Sequence, residues 1–216
     1  MSELESIITK LKSSNILQIK GNLFLEFDGI KTKLTSSDMI GNALQDWFGE
    51  WLTNNGFSWT PGPHSQSWPD FILADASHLE VKAFNEIRSP GFDIANFDAF
   101  TRSLYAGDIH RLHTKHLIFS YKVHPNNSFN ITNYWIKECW EITGPSKKNI
   151  TELQIKQKVP SNIRPKNWQS KSNRVQIYNK ASDFVVALSQ VINKYYPDRY
   201  PNNSWIKKVQ ADYKNY

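Results

Sequence analysis

The chain has 216 residues, a formal charge of +6 and a pI near 9.2, with 39% hydrophobic and 13% aromatic residues. That is enough apolar material for one folded domain, and a basic, aromatic-rich surface suits a polyanionic partner. The single cysteine, Cys139, excludes an intrachain disulfide and a thiolate zinc cluster and fits a reducing cytoplasm. No apolar run is long enough to span a bilayer, and Met1-Ser2-Glu3-Leu4-Glu5 has neither the basic nor the apolar part of a secretory signal.

In chain order, Leu4, Ile7, Ile8 and Leu11 have helical spacing. Residues 15–35 alternate, with turns at Gly21-Asn22 and Asp28-Gly29, and Asp28-Gly29 between strand-like segments predicts a hairpin that either packs on the core or forms an arm. Residues 37–54 predict the clearest helix. Ser36, Ser37 and Asp38 are its candidate caps, Met39, Ile40, Ala43, Leu44, Trp47, Phe48, Trp51 and Leu52 form its apolar stripe, and Asn54-Asn55-Gly56 ends it. Gln45, Asp46 and Glu50 lie off or beside the stripe. Residues 57–67 read as a loop.

Trp68 to Leu73 and Leu79 to Phe84 read as two strands joined by a polar turn. Asp70 opens the first strand. Glu80 and Lys82 are two apart on the second and share a face, while Leu79, Val81 and Ala83 take the other. If the strands pair, two carboxylates and an ammonium come together. Carboxylates on rigid strands can hold a hard cation such as Mg²⁺, which polarises a phosphodiester and acidifies a bound water. A neighbouring lysine can orient that water and offset transition-state charge. The bland reading is a hairpin with three solvated charges. His64 and His78 flank it without a second histidine at zinc spacing.

Beyond Phe84, residues 85–91 read as a loop and 92–105 as a helix with Ile94, Phe97, Phe100 or Thr101, and Leu104 buried. Asp93 or Asp98 could cap it. Residues 106–115 are a polar connection, 116–123 a buried strand, 124–128 a turn and 134–143 a further strand. Cys139, in an apolar-rich run, reads as core filler. Residues 144–180 carry the densest basic stretch, 181–195 a second strong helix capped by Ser182 or Asp183, and 201–216 a short last helix packing through Trp205, Ile206 and Val209. There is no Gly-rich phosphate loop, so no nucleotide cofactor is expected.

Pro69-Asp70, nine residues, then Glu80-Val81-Lys82 resembles the PD-(D/E)XK nuclease signature common in type II restriction endonucleases. The run Phe92 to Asp98 downstream of Glu80 to Phe84 looks like the NgoBV-type group of those enzymes, which implies a six-base site with degenerate central positions. The resemblance implies an α/β fold, a mixed central β-sheet flanked by helices with a restriction-endonuclease-like core. It also implies Mg²⁺-dependent, sequence-specific hydrolysis of double-stranded DNA by a homodimer. Asp70 and Glu80 would hold the metal, helped by the Val81 carbonyl, and Lys82 would act on water. Gly41-Asn42-Ala43-Leu44-Gln45 resembles the family helix that often adds an acidic or amide group near the metal, with Gln45 where many members have Glu. The expected layout is one nuclease domain, 1–216, with a catalytic core at about 36–143, a basic DNA-contacting region at about 144–180 and a helical end at 181–216. Arg88, Asn96, Arg102, Arg164, Lys166, Trp168 and Arg174 are the candidate DNA contacts. A structure-guided repair or recombination nuclease, and a DNA-binding protein without catalysis, stay open as alternatives.

Overall fold

The computed structural model describes residues 2–34, 36–63, 68–170 and 175–216. The chain divides into two compact units, Met1–Ser89 with Thr114–Lys137, and Pro90–His113 with Glu138–Tyr216.

The first unit opens with α1 (Glu3–Ser13), whose N-terminus carries a reciprocal capping box between Ser2 and Glu5. Residues Ile16–Gln18, expected to be extended, form a 3₁₀ turn. Then follow β1 (Lys20–Gly21), the hairpin strands β2 (Phe24–Phe27) and β3 (Ile30–Lys33), α2 (Ser37–Asn54), β4 (Trp59–Pro61), β5 (Phe71–Leu73) and β6 (His78–Asn85). The second unit begins with β7 (Ala95–Asn96), α3 (Phe97–Tyr105) and α4 (His110–His113); the chain then returns to the first for β8 (Lys115–Val123) and β9 (Phe129–Glu138). The second unit resumes with β10 (Leu153–Lys156), β11 (Val159–Ile163), α5 (Ala181–Tyr195) and α6 (Ser204–Lys214).

In the first unit six strands form one mixed sheet in the order β1-β9-β8-β6-β5-β4. β5 pairs antiparallel with β6, and β6 pairs parallel with β8 over seven residue pairs from Leu79↔Lys115 to Asn85↔Tyr121. A parallel pair needs a crossover, and residues 86–114 supply it. The apolar stripe of α2 packs on one sheet face: Ile40, Leu44, Phe48 and Leu52 join Phe71, Leu79, Val81, Leu117, Phe119 and Tyr121 in a single core. Phe48 stacks on Trp51 and meets Phe71 and Phe119 edge-on. Each fully buried side chain of this size contributes about 1.5–3 kcal/mol.

The segment read as a loop before the β5–β6 hairpin contains β4, an edge strand that pairs with β5. Trp59 draws it onto the sheet: its ring packs on Phe71 at 4.8 Å and its indole N–H donates to the Gly49 carbonyl and the Thr53 hydroxyl. Pro61 is tolerated because the strand lies at the edge.

The second unit carries a three-stranded sheet, β10-β11-β7. Here the expected helix over 92–105 is shorter than its periodicity suggests. Ile94, Ala95 and Asn96 give their backbone bonds to β11, and the helix starts at Phe97 with the Asn96 side chain, rather than Asp93 or Asp98, accepting from the Ala99 N–H. The strand expected over 134–143 runs instead from Phe129 to Glu138. Its supposed second half, Cys139–Ile142, is a 3₁₀ turn closed by reciprocal bonds between Glu138 and Glu141. The polar connection at 106–115 contains α4, and the basic stretch at 144–180 contains the β10–β11 hairpin. α5 begins after Lys180 with no side-chain cap from Ser182 or Asp183. Trp205 and Val209 are the buried anchors of α6.

Two glycines of α2 differ in surroundings. A Cβ at Gly41 meets nothing within 4 Å, whereas one at Gly49 would stand 2.8 Å from the Trp59 ring. Gly41→Ala is expected to raise stability by about 0.5–1 kcal/mol through helix propensity. Gly49→Ala should lower it by about 1–3 kcal/mol because the Trp59 ring is held by hydrogen bonds and cannot retreat freely. Urea denaturation of the two variants checks this difference in sign.

Candidate active site

The sequence brings four predicted residues together within the first unit. Asp70 precedes β5, Glu80 and Lys82 lie on β6, and Gln45 lies on α2. The Asp70 carboxylate is held from two sides: Gln45 Nε2 donates to Oδ1 at 3.1 Å and the Val81 backbone N–H donates to Oδ2 at 2.8 Å. Glu80 Oε2 in turn accepts from the Asp70 N–H at 3.2 Å, and Lys82 Nζ stands 3.9 Å from Glu80 Oε1. Among the predicted ligands, Val81 thus meets Asp70 through its N–H.

The alternation of β6 explains this placement only in part. Leu79 and Val81 enter the core as expected, but Glu80, on the opposite face, is buried as well, at 6% exposure. A carboxylate there has lost most of its hydration, and burial pushes the Glu80 carboxyl up to about 8. Lys82 opposes the shift, while a hydrogen bond to the Asp70 carboxylate and its negative charge reinforce it. A hydrogen bond thus links the two carboxyl groups. Two carboxyl groups held this close are an oxygen-donor set suited to a hard divalent cation.

His116 was not singled out by sequence. It stands opposite Glu80 in the β6–β8 register, is buried, and places Nδ1 3.2 Å from the Thr114 carbonyl. Burial, then the Lys82 charge, pulls its imidazole down to about 3, so it is neutral at physiological pH. The available signal was one histidine in an otherwise apolar buried strand, which is usually a packing residue.

Arg88 is exposed in the turn after β6. The remaining described candidate DNA contacts lie in the second unit, where several also make internal bonds. Asn96 caps α3, Arg102 pairs with Asp98 at 2.9 Å, and Arg164 pairs with Asp93 at 2.9 Å. Lys166 reaches the Pro145 carbonyl at 2.8 Å and Glu152 at 3.5 Å. Trp168 packs edge-on against Phe92. Arg174 lies outside the described residues, as does His64. Cys139 is buried, and burial drives its thiol far above the usual range, so it is inert. No helix among the described residues is long and apolar enough to cross a membrane.

Residues 1–216 match the model of the NgoBV restriction endonuclease family. The type II restriction enzyme NlaIV of Neisseria lactamica is 31% identical over 214 residues, 95% of this chain and 86% of the relative. The type II restriction enzyme NgoBV of Neisseria gonorrhoeae is 31% identical over 137 residues, 62% of this chain and 77% of the relative. The solved structure of the NlaIV restriction endonuclease superposes with a TM-score of 0.88 at 29% identity, covering 100% of this chain and 89% of that one. Fold and homologues together define a type II restriction endonuclease, a site-specific deoxyribonuclease. The chain belongs to the NgoBV restriction endonuclease family.

The raised Glu80 carboxyl has a consequence for stability. Between about 4.5, its ordinary value, and about 8, its folded value, the unfolded chain has released the proton and the folded chain has kept it. Without divalent cation, the contribution of this group to stability therefore falls as pH rises through that window. Glu80→Gln is expected to melt higher than the parent at pH 7–8 in chelator, and the two curves should converge below pH 4.5; thermal melts across pH check it.

Proposed function

We propose that Asp70 and Glu80, with the Val81 carbonyl, bind Mg²⁺, and that the enzyme acts as a homodimer on double-stranded DNA. The observation that carries the metal reading is the contact between the buried Glu80 carboxyl and that of Asp70, which calls for a positive charge between them. A bound Mg²⁺ would polarise the phosphodiester and stabilise charge on the departing oxygen. Gln45 and the Val81 N–H hold the Asp70 carboxylate in one orientation, so it enters the reaction pre-positioned. Lys82, on the same face of β6 as Glu80, orients the attacking water and offsets negative charge that develops on the phosphate. Neutral His116 adds no positive charge to compete with a cation.

For DNA, Arg88, Asn96, Arg102, Arg164, Lys166, Trp168 and Arg174 are the proposed contacts. The guanidinium of Arg164, braced by Asp93, keeps a fixed direction without giving up its charge. Two copies, each with one centre, would cut the two strands of a duplex whose two-fold symmetry they share.

Plasmid cleavage tests the assignment directly. The parent should give discrete Mg²⁺-dependent fragments that vanish in chelator. Asp70→Ala and Lys82→Ala should each lose at least ~10²-fold in rate. Lys82→Ala should retain DNA binding in a gel-shift assay; an unchanged cutting rate would remove lysine from the mechanism.

Metal affinity should follow the Glu80 proton. Binding displaces a proton from a carboxyl with a pKa of about 8, so Mg²⁺ affinity by calorimetry should rise about tenfold per pH unit below that value and level off above it. In Glu80→Gln the slope should disappear.

A further inference from the structure

The β2–β3 hairpin stands apart from the six-stranded sheet. Its register pairs Phe24 with Lys33, Leu25 with Thr32, Glu26 with Lys31 and Phe27 with Ile30, around a turn in which Asp28 and Gly29 both have positive φ. Directly opposed residues share a face and successive pairs alternate, so the ribbon has two unlike faces. Phe24, Glu26, Lys31 and Lys33 form one. Its groups are satisfied locally: Lys31 pairs with Glu26, Lys31 and Lys33 lie over the Phe24 ring, and Lys33 Nζ donates to the Asn126 carbonyl at 2.9 Å.

The other face is Leu25, Phe27, Ile30 and Thr32. It carries no charge, and its three apolar members are 51%, 79% and 71% exposed. A two-stranded ribbon is marginal by itself in water, and an exposed apolar patch of this kind marks an interaction site. We propose that this face is the surface through which a second copy of the chain docks, Phe27 and Ile30 meeting their counterparts about a two-fold axis. The inference rests on the two-copy reading of the cleavage reaction given above. DNA as occupant would call on lysines, and these belong to the opposite face. Two chains of charge +6 repel each other, and a neutral patch is where that repulsion is least. An isologous contact needs a self-complementary face, which an uncharged aromatic-aliphatic one is.

The test is sedimentation velocity of the full chain and of Phe27→Asp, beside bis-maleimide cross-linking of Phe27→Cys. The only native cysteine, Cys139, is buried and stays silent. Ile87→Cys, at a site 73% exposed, is the control. The proposal expects a dimeric parent, a monomeric Phe27→Asp variant that nicks plasmid where the parent linearises it, cross-linked dimer from Phe27→Cys and none from the control. If Phe27→Asp does not fold, the cross-link alone decides. A dimer unaffected by Phe27→Asp, with no cross-link at Phe27→Cys, would place the seam elsewhere and overturn the proposal while leaving the two-copy reading intact. A parent that is monomeric at every concentration would overturn both, without touching the metal assignment, which Mg²⁺ binding reads separately. An intact dimer with weakened DNA binding in Phe27→Asp would make the hairpin a DNA contact and overturn the proposal too.

Discussion

Glu80 lies among buried strands with its carboxyl against that of Asp70, and two anions so placed repel each other with little water to screen them. The surrounding structure answers that constraint. The Gln45 amide and the Val81 N–H take up the Asp70 oxygens, the Asp70 N–H takes one Glu80 oxygen, and Lys82 supplies the nearby positive charge. Burial still outweighs these contacts, and the Glu80 carboxyl is pushed up to about 8, so it keeps its proton at neutral pH. The site stores an unfavourable charge arrangement, which the cation proposed to bind between the two carboxylates would relieve.

Holding that arrangement takes rigid support. β6 lies between β5 and β8, with α2 packed across the face opposite Glu80 and Lys82. The helix stripe of Ile40, Leu44, Phe48 and Leu52 fixes the rotation of α2, and that rotation aims Gln45 at Asp70. The same apolar burial that stabilises this unit therefore sets the direction of a polar side chain in its site. Gly49 is part of the fit, since it lets Trp59 close over the helix and bring the edge strand β4 onto β5.

The hairpin signature was legible in the sequence because it is local. Asp70, Glu80 and Lys82 are close in the chain, alternation places them, and a two-residue spacing puts Glu80 and Lys82 on one face. Helices with long apolar stripes, α2 and α5, were legible for the same reason. The failures share a different cause. β4, the strand at Ala95–Asn96 and the end of β9 at Glu138 are decided by partners far along the chain or by a local cap, so periodicity misreads them. The Arg164–Asp93 ion pair of the basic stretch was also hidden, since its partners lie far apart in sequence.

By itself the sequence determined the nuclease class of the chain, its α/β pattern and the three charged residues of its hairpin, because these depend on spacing and residue type. The tertiary structure alone decided that Glu80 is buried and holds a proton, that Gln45 reaches Asp70, that His116 sits opposite Glu80, and that the β2–β3 ribbon leaves its apolar face in water. Each depends on how much solvent and which distant neighbours a side chain meets, and those are properties of the packed sheet and helix rather than of any stretch of chain.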